Sequence, residues 1–212
     1  MIPAEPVTSP SPDAHGARRT TQVALGVAAA TAALCVVLQA TGLNSSLRFD
    51  RAAIDSGQWW LLLTGNFVHL GTSHLLMNIA GLGLVAALVW RRFAAMDWLI
   101  LIVGSSVIVG VGLWWRNPEL FWYVGFSGTL HGLIIAGTLA DLRVWPKSAL
   151  VLLVAVIGKL AWEQFGGALP GSESVAGGNV IVDAHLYGAI GGALLGIPLI
   201  LAGRVRLDES RA

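Results

Sequence analysis

The chain has 212 residues, of which 55% are hydrophobic and 12% charged, and its formal net charge is +1. A soluble domain carries about 25% charged residues, so this composition excludes an ordinary soluble enzyme and points to a membrane protein. The small net charge and the absence of a basic patch argue against a nucleic-acid partner. With one cysteine, Cys35, there is no internal disulfide; no Cys/His spacing suggests a metal site, and no organic cofactor is expected.

Residues 1–17 contain four of the eight prolines and no apolar periodicity, which predicts a disordered cytoplasmic tail. From Arg18 onward the pattern predicts an all-α, polytopic six-transmembrane-helix bundle over residues 18–206, with a short cytoplasmic tail at 207–212. The spans fall near 20–40, 72–90, 97–115, 127–141, 148–163 and 182–203. The fourth and fifth are short for about 30 Å of hydrocarbon. Between the first two spans, Trp59 to Leu70 reads as a segment that lies in the interface or dips into it, its two tryptophans suited to an interfacial position. Of the 13 basic residues, nine fall in segments that are cytoplasmic if the N-terminus is inside, Arg48, Arg51 and Arg116 fall in outer segments, and Lys159 lies within a span. That bias supports six helices with both termini in the cytoplasm; the localisation expected for the chain is a bacterial inner membrane.

Ionisable groups within a span are costly and are functional candidates by default. His69, His74, His131 and His185 all lie in or beside apolar segments, in the half of the membrane that this topology makes outer. His74 and Asn78 are four residues apart and share a helix face. They are either a pair of hydrogen-bond donors for an oxyanion or a polar contact joining two helices. In the fourth span, Ser127 lies where the helix begins, flanked by Gly125 and Gly128. It is either a nucleophile whose own N–H is an unpaired first-turn donor or a plain N-cap.

In the sixth span, Gly188, Gly192 and Gly196 form a ladder of small residues matched by Gly128, Gly132 and Ala136 in the fourth. Two such ladders permit close helix packing, which would bring the His185 imidazole to the Ser127 hydroxyl as its base. Asp183, two residues before His185, points away from it on a helix and reads as interfacial. Lys159 and Glu163, four apart in the fifth span, are either an ion pair or a contact for a substrate tail or lipid headgroup.

Three strings resemble the rhomboid family of intramembrane serine proteases: His-x-x-x-Asn at His74–Asn78, Gly-x-Ser-Gly at Gly125–Gly128, and Ala-His-x-x-Gly at Ala184–Gly188. His69 resembles the family's additional histidine. The resemblance implies a serine endopeptidase with a Ser127–His185 dyad, oxyanion stabilisation by His74, Asn78 and the Ser127 N–H, and supporting roles for Gly125, Gly128, His131, Gly188 and His69. It also implies no metal and no cofactor, and a site opening to the periplasmic side.

The string Ser127–Gly132 and the segment Lys159–Glu163 resemble the rhombosortase subgroup. That implies substrates anchored by one transmembrane helix within a C-terminal Gly-Gly sorting tail. Two positions depart from the family pattern. Trp60-Leu61 stands where rhomboids typically have Trp-Arg, which puts a loop contact in doubt. His131 stands where many have a tyrosine packed on the catalytic histidine, so it stacks on His185, hydrogen-bonds to it or alters its basicity. The competing functional class is a non-catalytic rhomboid-like protein that binds transmembrane helices.

Overall fold

A computed structural model describes residues 12–207, with side chains described from residue 22 onward. Helix α1 (Pro12–Ala40) is followed by α2 (Asn44–Leu47), strand β1 (Phe49–Asp50), α3 (Arg51–Asp55) and α4 (Leu61–Thr64). Then come α5 (Thr72–Val89), a single 3-10 turn (Trp90–Arg92), α6 (Ala95–Arg116), β2 (Trp122–Tyr123) and α7 (Ser127–Asp141). The chain continues through α8 (Pro146–Gly166), α9 (Ser172–Ala176) and α10 (Val182–Leu201).

Helices occupy each of the six predicted regions, and five are long and apolar enough to cross a membrane. The exception is α7, whose 15 residues extend about 22 Å at 1.5 Å per residue. Its environment accounts for this: ten of those residues are buried, and α5, α6, α8 and α10 all pack on it. A helix walled by protein meets little lipid, so it need not match the hydrocarbon thickness.

Two further differences from the sequence expectation are local. Helix α1 begins at Pro12, so residues 12–17 of the predicted tail are helical; residues 1–11 and 208–212 lie outside the described residues. The all-α expectation also omits a two-stranded antiparallel ribbon, in which Phe49 pairs with Tyr123 and Asp50 with Trp122. Strands of two residues have no period for a pattern to reveal.

The ribbon fixes the segment between α1 and α5 to the loop that leads into α7. Gly65 accepts the Gly125 N–H at 3.0 Å. The Thr64 hydroxyl donates to the Leu47 carbonyl at 2.7 Å. Arg51 donates to four carbonyls, those of Leu113, Trp114, Asn117 and Leu120, at 2.8–3.0 Å. These include the Trp114 carbonyl, whose helical partner would be the N–H that Pro118 lacks. Leu61 itself is buried beside Phe49 and Ile54 in a small apolar cluster. Trp59 and Trp60 are exposed, as an interfacial position requires.

At the other end of the bundle, Trp90 stacks on Trp98 with ring centroids 4.1 Å apart, and Phe93 meets Trp98 edge-on. The Trp90 indole N–H donates to the Ala24 carbonyl, tying α1 to the end of α5. Arg92 is buried, paired with Asp141 at the end of α7.

The tightest contact in the molecule joins α7 to α10. A Cβ on Gly188 would lie 1.8 Å from the Gly128 oxygen, and one on Gly192 2.0 Å from the Gly132 oxygen. The two small-residue ladders therefore face each other with backbone against backbone. Gly188→Ala forces these backbones apart, and we expect a loss of about 3 kcal/mol in a detergent unfolding assay. Gly83→Ala, at a helical glycine with open space around it, is expected to be neutral or slightly stabilising. Equal effects at the two positions would contradict the packing argument.

Candidate active site

Ser127 is the first residue of α7, and the preceding Phe126 occupies the N-cap position. Its hydroxyl makes no capping bond; it lies 2.9 Å from His185 Nε2. The plain N-cap reading therefore fails. The approach follows directly from the ladder, because Gly128 and Gly188, one residue after Ser127 and one turn after His185, remove the side chains that would hold the helices apart.

Behind His185 stands Glu163. Its carboxylate Oε2 is 2.9 Å from His185 Nδ1, and it is 3% exposed. The Lys159 ammonium donates to the other oxygen, Oε1, at 2.6 Å, and lies 3.0 Å from His131 Nε2 and 3.5 Å from His185 Nδ1. The ion pair between Lys159 and Glu163 was legible from their spacing, but the carboxylate's contact with His185 was not, since it joins α8 to α10. Asp183 accepts a bond from Asn117 and is not directed at His185.

His131 stacks on His185 with ring centroids 4.3 Å apart and planes 22° from parallel. Its Nδ1 lies 2.8 Å from the Ser127 carbonyl. Of the three roles open to it, stacking is the one observed, supplemented by a bond back to the Ser127 backbone. The donor atoms of His131, Glu163 and His185 lie within 4.8 Å of one another, a spacing that a metal ion can also span. Here the Lys159 ammonium contacts all three side chains, so a divalent ion would have to displace a cation already bonded there.

On the opposite wall, His74 and Asn78 project from α5, both buried. The Asn78 amide donates to the His74 carbonyl at 3.0 Å, which uses one of its two N–H groups. His74 Nδ1 accepts a long bond from the Leu70 N–H at 3.4 Å, leaving Nε2 as the protonated nitrogen. Gly125 is required here twice over. Its φ is +128°, and a Cβ would lie 2.7 Å from His74 Cε1. The Tyr123 hydroxyl donates to the Gly125 carbonyl at 2.7 Å and so holds the strand leading to Ser127. That role was missed because nothing in the sequence pairs β1 with β2.

Ser127, His185, His74, Asn78, Lys159 and Glu163 all line one cavity of about 700 Å³, together with residues drawn from 119–124 and 169–181. The cavity has the size of a ligand-binding site.

A rhomboid-domain family profile matches residues 56–202. The chain is 26% identical over 147 residues to the putative rhomboid protease YdcA of Bacillus subtilis, covering 67% of this chain and 68% of that protein. It is 24% identical over 160 residues to the rhomboid protease GluP of the same organism, covering 70% of this chain and 28% of that protein. RHOMBOID-like protein 4 of Arabidopsis thaliana is 28% identical over 156 residues, covering 71% of this chain and 36% of its own length. This chain belongs to the rhomboid family.

His69 contributes no bond to the cavity. It is 1% exposed, its ring meets His74 edge-on at 5.2 Å, and neither ring nitrogen has a hydrogen-bond partner among the described residues. Burial, with a smaller contribution from His74, pushes its pKa down from 6.5 to about 3. Between those values the unfolded chain binds a proton that the folded one does not. Stability at this group is therefore complete above pH 6.5 and falls as the pH falls, by at most about 1.4 kcal/mol per unit. His69→Phe retains the ring and removes the unpaired nitrogens. It is expected to be neutral or stabilising at pH 7 and to reduce the acid slope of stability by one proton. An unchanged slope in unfolding titrations from pH 7 to 4 would refute this.

Proposed function

We propose that this protein is an intramembrane serine endopeptidase with Ser127 as nucleophile and His185 as general base. The observation that carries the reading is the 2.9 Å contact between Ser127 Oγ and His185 Nε2 on the wall of a 700 Å³ cavity. The family match and the protease names of two relatives support it.

In this mechanism Ser127 Oγ attacks a peptide carbonyl carbon while His185 Nε2 takes the hydroxyl proton. His74 Nε2–H, the second amide N–H of Asn78 and the Ser127 backbone N–H donate to the oxyanion. Collapse of the tetrahedral intermediate breaks the C–N bond, and His185 returns the proton to the leaving amine. A water molecule then attacks the acyl carbon and gives its proton to His185; as the C–Oγ bond breaks, His185 passes that proton to Ser127 Oγ, releasing the new acid and restoring the free serine and neutral imidazole. Gly125, Gly128, His131 and Gly188 act by placing these groups.

The proposed topology has six spans, α7 included, with both termini in the cytoplasm of a bacterial cell, the bundle in the inner membrane and the cavity open to the periplasm. The distribution of basic residues supports it. Substrates are proteins held in the bilayer by a transmembrane segment that unwinds into the cavity. The resemblance of Ser127–Gly132 and Lys159–Glu163 to the rhombosortase subgroup supports a narrower class, proteins with a C-terminal Gly-Gly sorting tail.

The test is co-expression with a Gly-Gly-tailed membrane-anchored protein, following removal of the tail. Ser127→Ala and His185→Ala are expected to abolish cleavage while remaining folded in the membrane, and His74→Ala to lower its rate by roughly 10²–10³. Tail removal that persists in Ser127→Ala would sink the proposal. A protein that only binds transmembrane helices would retain its function in that variant.

A further inference from the structure

The Ser127–His185 pair is competent as a base in only one neutral imidazole tautomer. Nε2 must carry the lone pair that accepts the serine proton, so Nδ1 must carry the hydrogen. Two groups of opposite character compete for Nδ1. Glu163 Oε2, at 2.9 Å, only accepts and so requires a proton on Nδ1. The Lys159 ammonium, at 3.5 Å, only donates and so requires a bare Nδ1. If Lys159 prevailed, the hydrogen would move to Nε2 and point at Ser127 Oγ, and His185 could not take the serine proton.

The remaining bonds show how this competition is decided. Lys159 gives one N–H to Glu163 Oε1 at 2.6 Å and another to His131 Nε2 at 3.0 Å. Because His131 Nε2 accepts, His131 Nδ1 carries that ring's hydrogen and donates it to the Ser127 carbonyl at 2.8 Å. Donor-only lysine, acceptor-only carboxylate and acceptor-only carbonyl leave each of these bonds with a single direction.

We propose that Glu163 and Lys159 form a tautomer lock on His185. Glu163 is a positioning residue: one oxygen holds His185 Nδ1–H, while the other holds the ammonium that would otherwise donate to that same nitrogen. The lock rests on the proposed catalytic reading, because it has a kinetic consequence only if His185 acts as a base toward Ser127. It gives Lys159 two opposed effects. Beside Glu163 it steadies the carboxylate, and without Glu163 it holds His185 in the unproductive tautomer.

The experiment uses the full-length protein in detergent or proteoliposomes, with ¹⁵N-labelled histidine and a membrane-anchored cleavage substrate. Glu163→Ala is expected to lower kcat by roughly 10²–10⁴ with KM little changed, and to move the His185 hydrogen from Nδ1 to Nε2 in the ¹⁵N spectrum. Removing the second group as well, in Glu163→Ala/Lys159→Met, is expected to restore kcat at least tenfold over the single variant. A carboxylate with a purely structural role predicts the reverse, a double variant as impaired as the single or worse. Glu163→Gln retains the shape and serves if the alanine variant does not fold. Its amide accepts from Nδ1–H in one orientation and donates in the other, so both tautomers and an intermediate kcat are expected.

Wild-type kcat in the glutamate variants, or a double variant no faster than Glu163→Ala, overturns the lock while Ser127→Ala and His185→Ala remain inactive. Cleavage by Ser127→Ala instead overturns the catalytic reading beneath it.

Discussion

The site depends on one constraint, the backbone-to-backbone contact of α7 with α10. Ser127 opens one helix and His185 lies near the start of the other, so their separation is set by how closely the two helices run. A single methyl at Gly188 would overlap the Gly128 carbonyl. Interdigitating side chains normally hold helix axes 8–10 Å apart; the glycine ladders remove that spacer. Because the contact is made by main chain, which has no rotamers to adjust, the separation of the two backbones that carry the hydroxyl and the imidazole is set by packing. The hydrogen bonds at the site follow from the packing.

Placing Ser127, His131, His185, Lys159 and Glu163 among apolar helices, the last two of these groups charged and His185 and Glu163 buried, carries a large desolvation cost unless each group is paired. The structure meets this with a closed chain of bonds running from the Ser127 carbonyl through His131, Lys159, Glu163 and His185 back to the Ser127 hydroxyl. Its formal charge is zero, since the ammonium and carboxylate cancel. That neutrality lowers the cost of holding a charged pair among apolar helices. Substituting any one member leaves its neighbours unpaired, so the members will not contribute additively.

Much of this was legible in the sequence, and the boundary follows the range of the interaction. His74 with Asn78, Lys159 with Glu163, and the two glycine ladders are periodicities within one helix, and a helix converts four-residue spacing into a shared face. The Ser127–His185 contact spans 58 residues, yet it was readable because both ladders carry the same spacing. Glu163 pairs with His185 across α8 and α10 with no such repeat, whereas helix geometry alone was enough to set Asp183 aside. The β1–β2 ribbon, the Arg51 cap on α6 and the Tyr123 bond to Gly125 are pairings between irregular segments, where no period exists. The shortness of α7 was visible, but its cause, enclosure by four other helices, is a property of the packed bundle.

The acid's location on α8 adds a consequence of its own. Along its 21 residues only Ala149, Leu160 and Glu163 are buried, while Leu150, Val151, Val154, Ile157, Trp162 and Phe165 are exposed, as befits a lipid-facing helix. Leu160 packs with Ile135 and Ala189, and beside it the attachment is the polar chain through the adjacent Lys159 and, one turn on, Glu163. Apolar contact adds little preference for one position over another where lipid is as apolar as the neighbouring helix, so directional bonds carry more of the specificity here. The same bonds that settle α8 against the bundle also orient His185. A shift of α8 large enough to break them would leave the Ser127–His185 distance intact, because α7 and α10 hold it, but would remove the acceptor from Nδ1. Geometry and orientation at this site are therefore governed by different helices, the first by the glycine contact of α7 with α10 and the second by the mostly exposed α8.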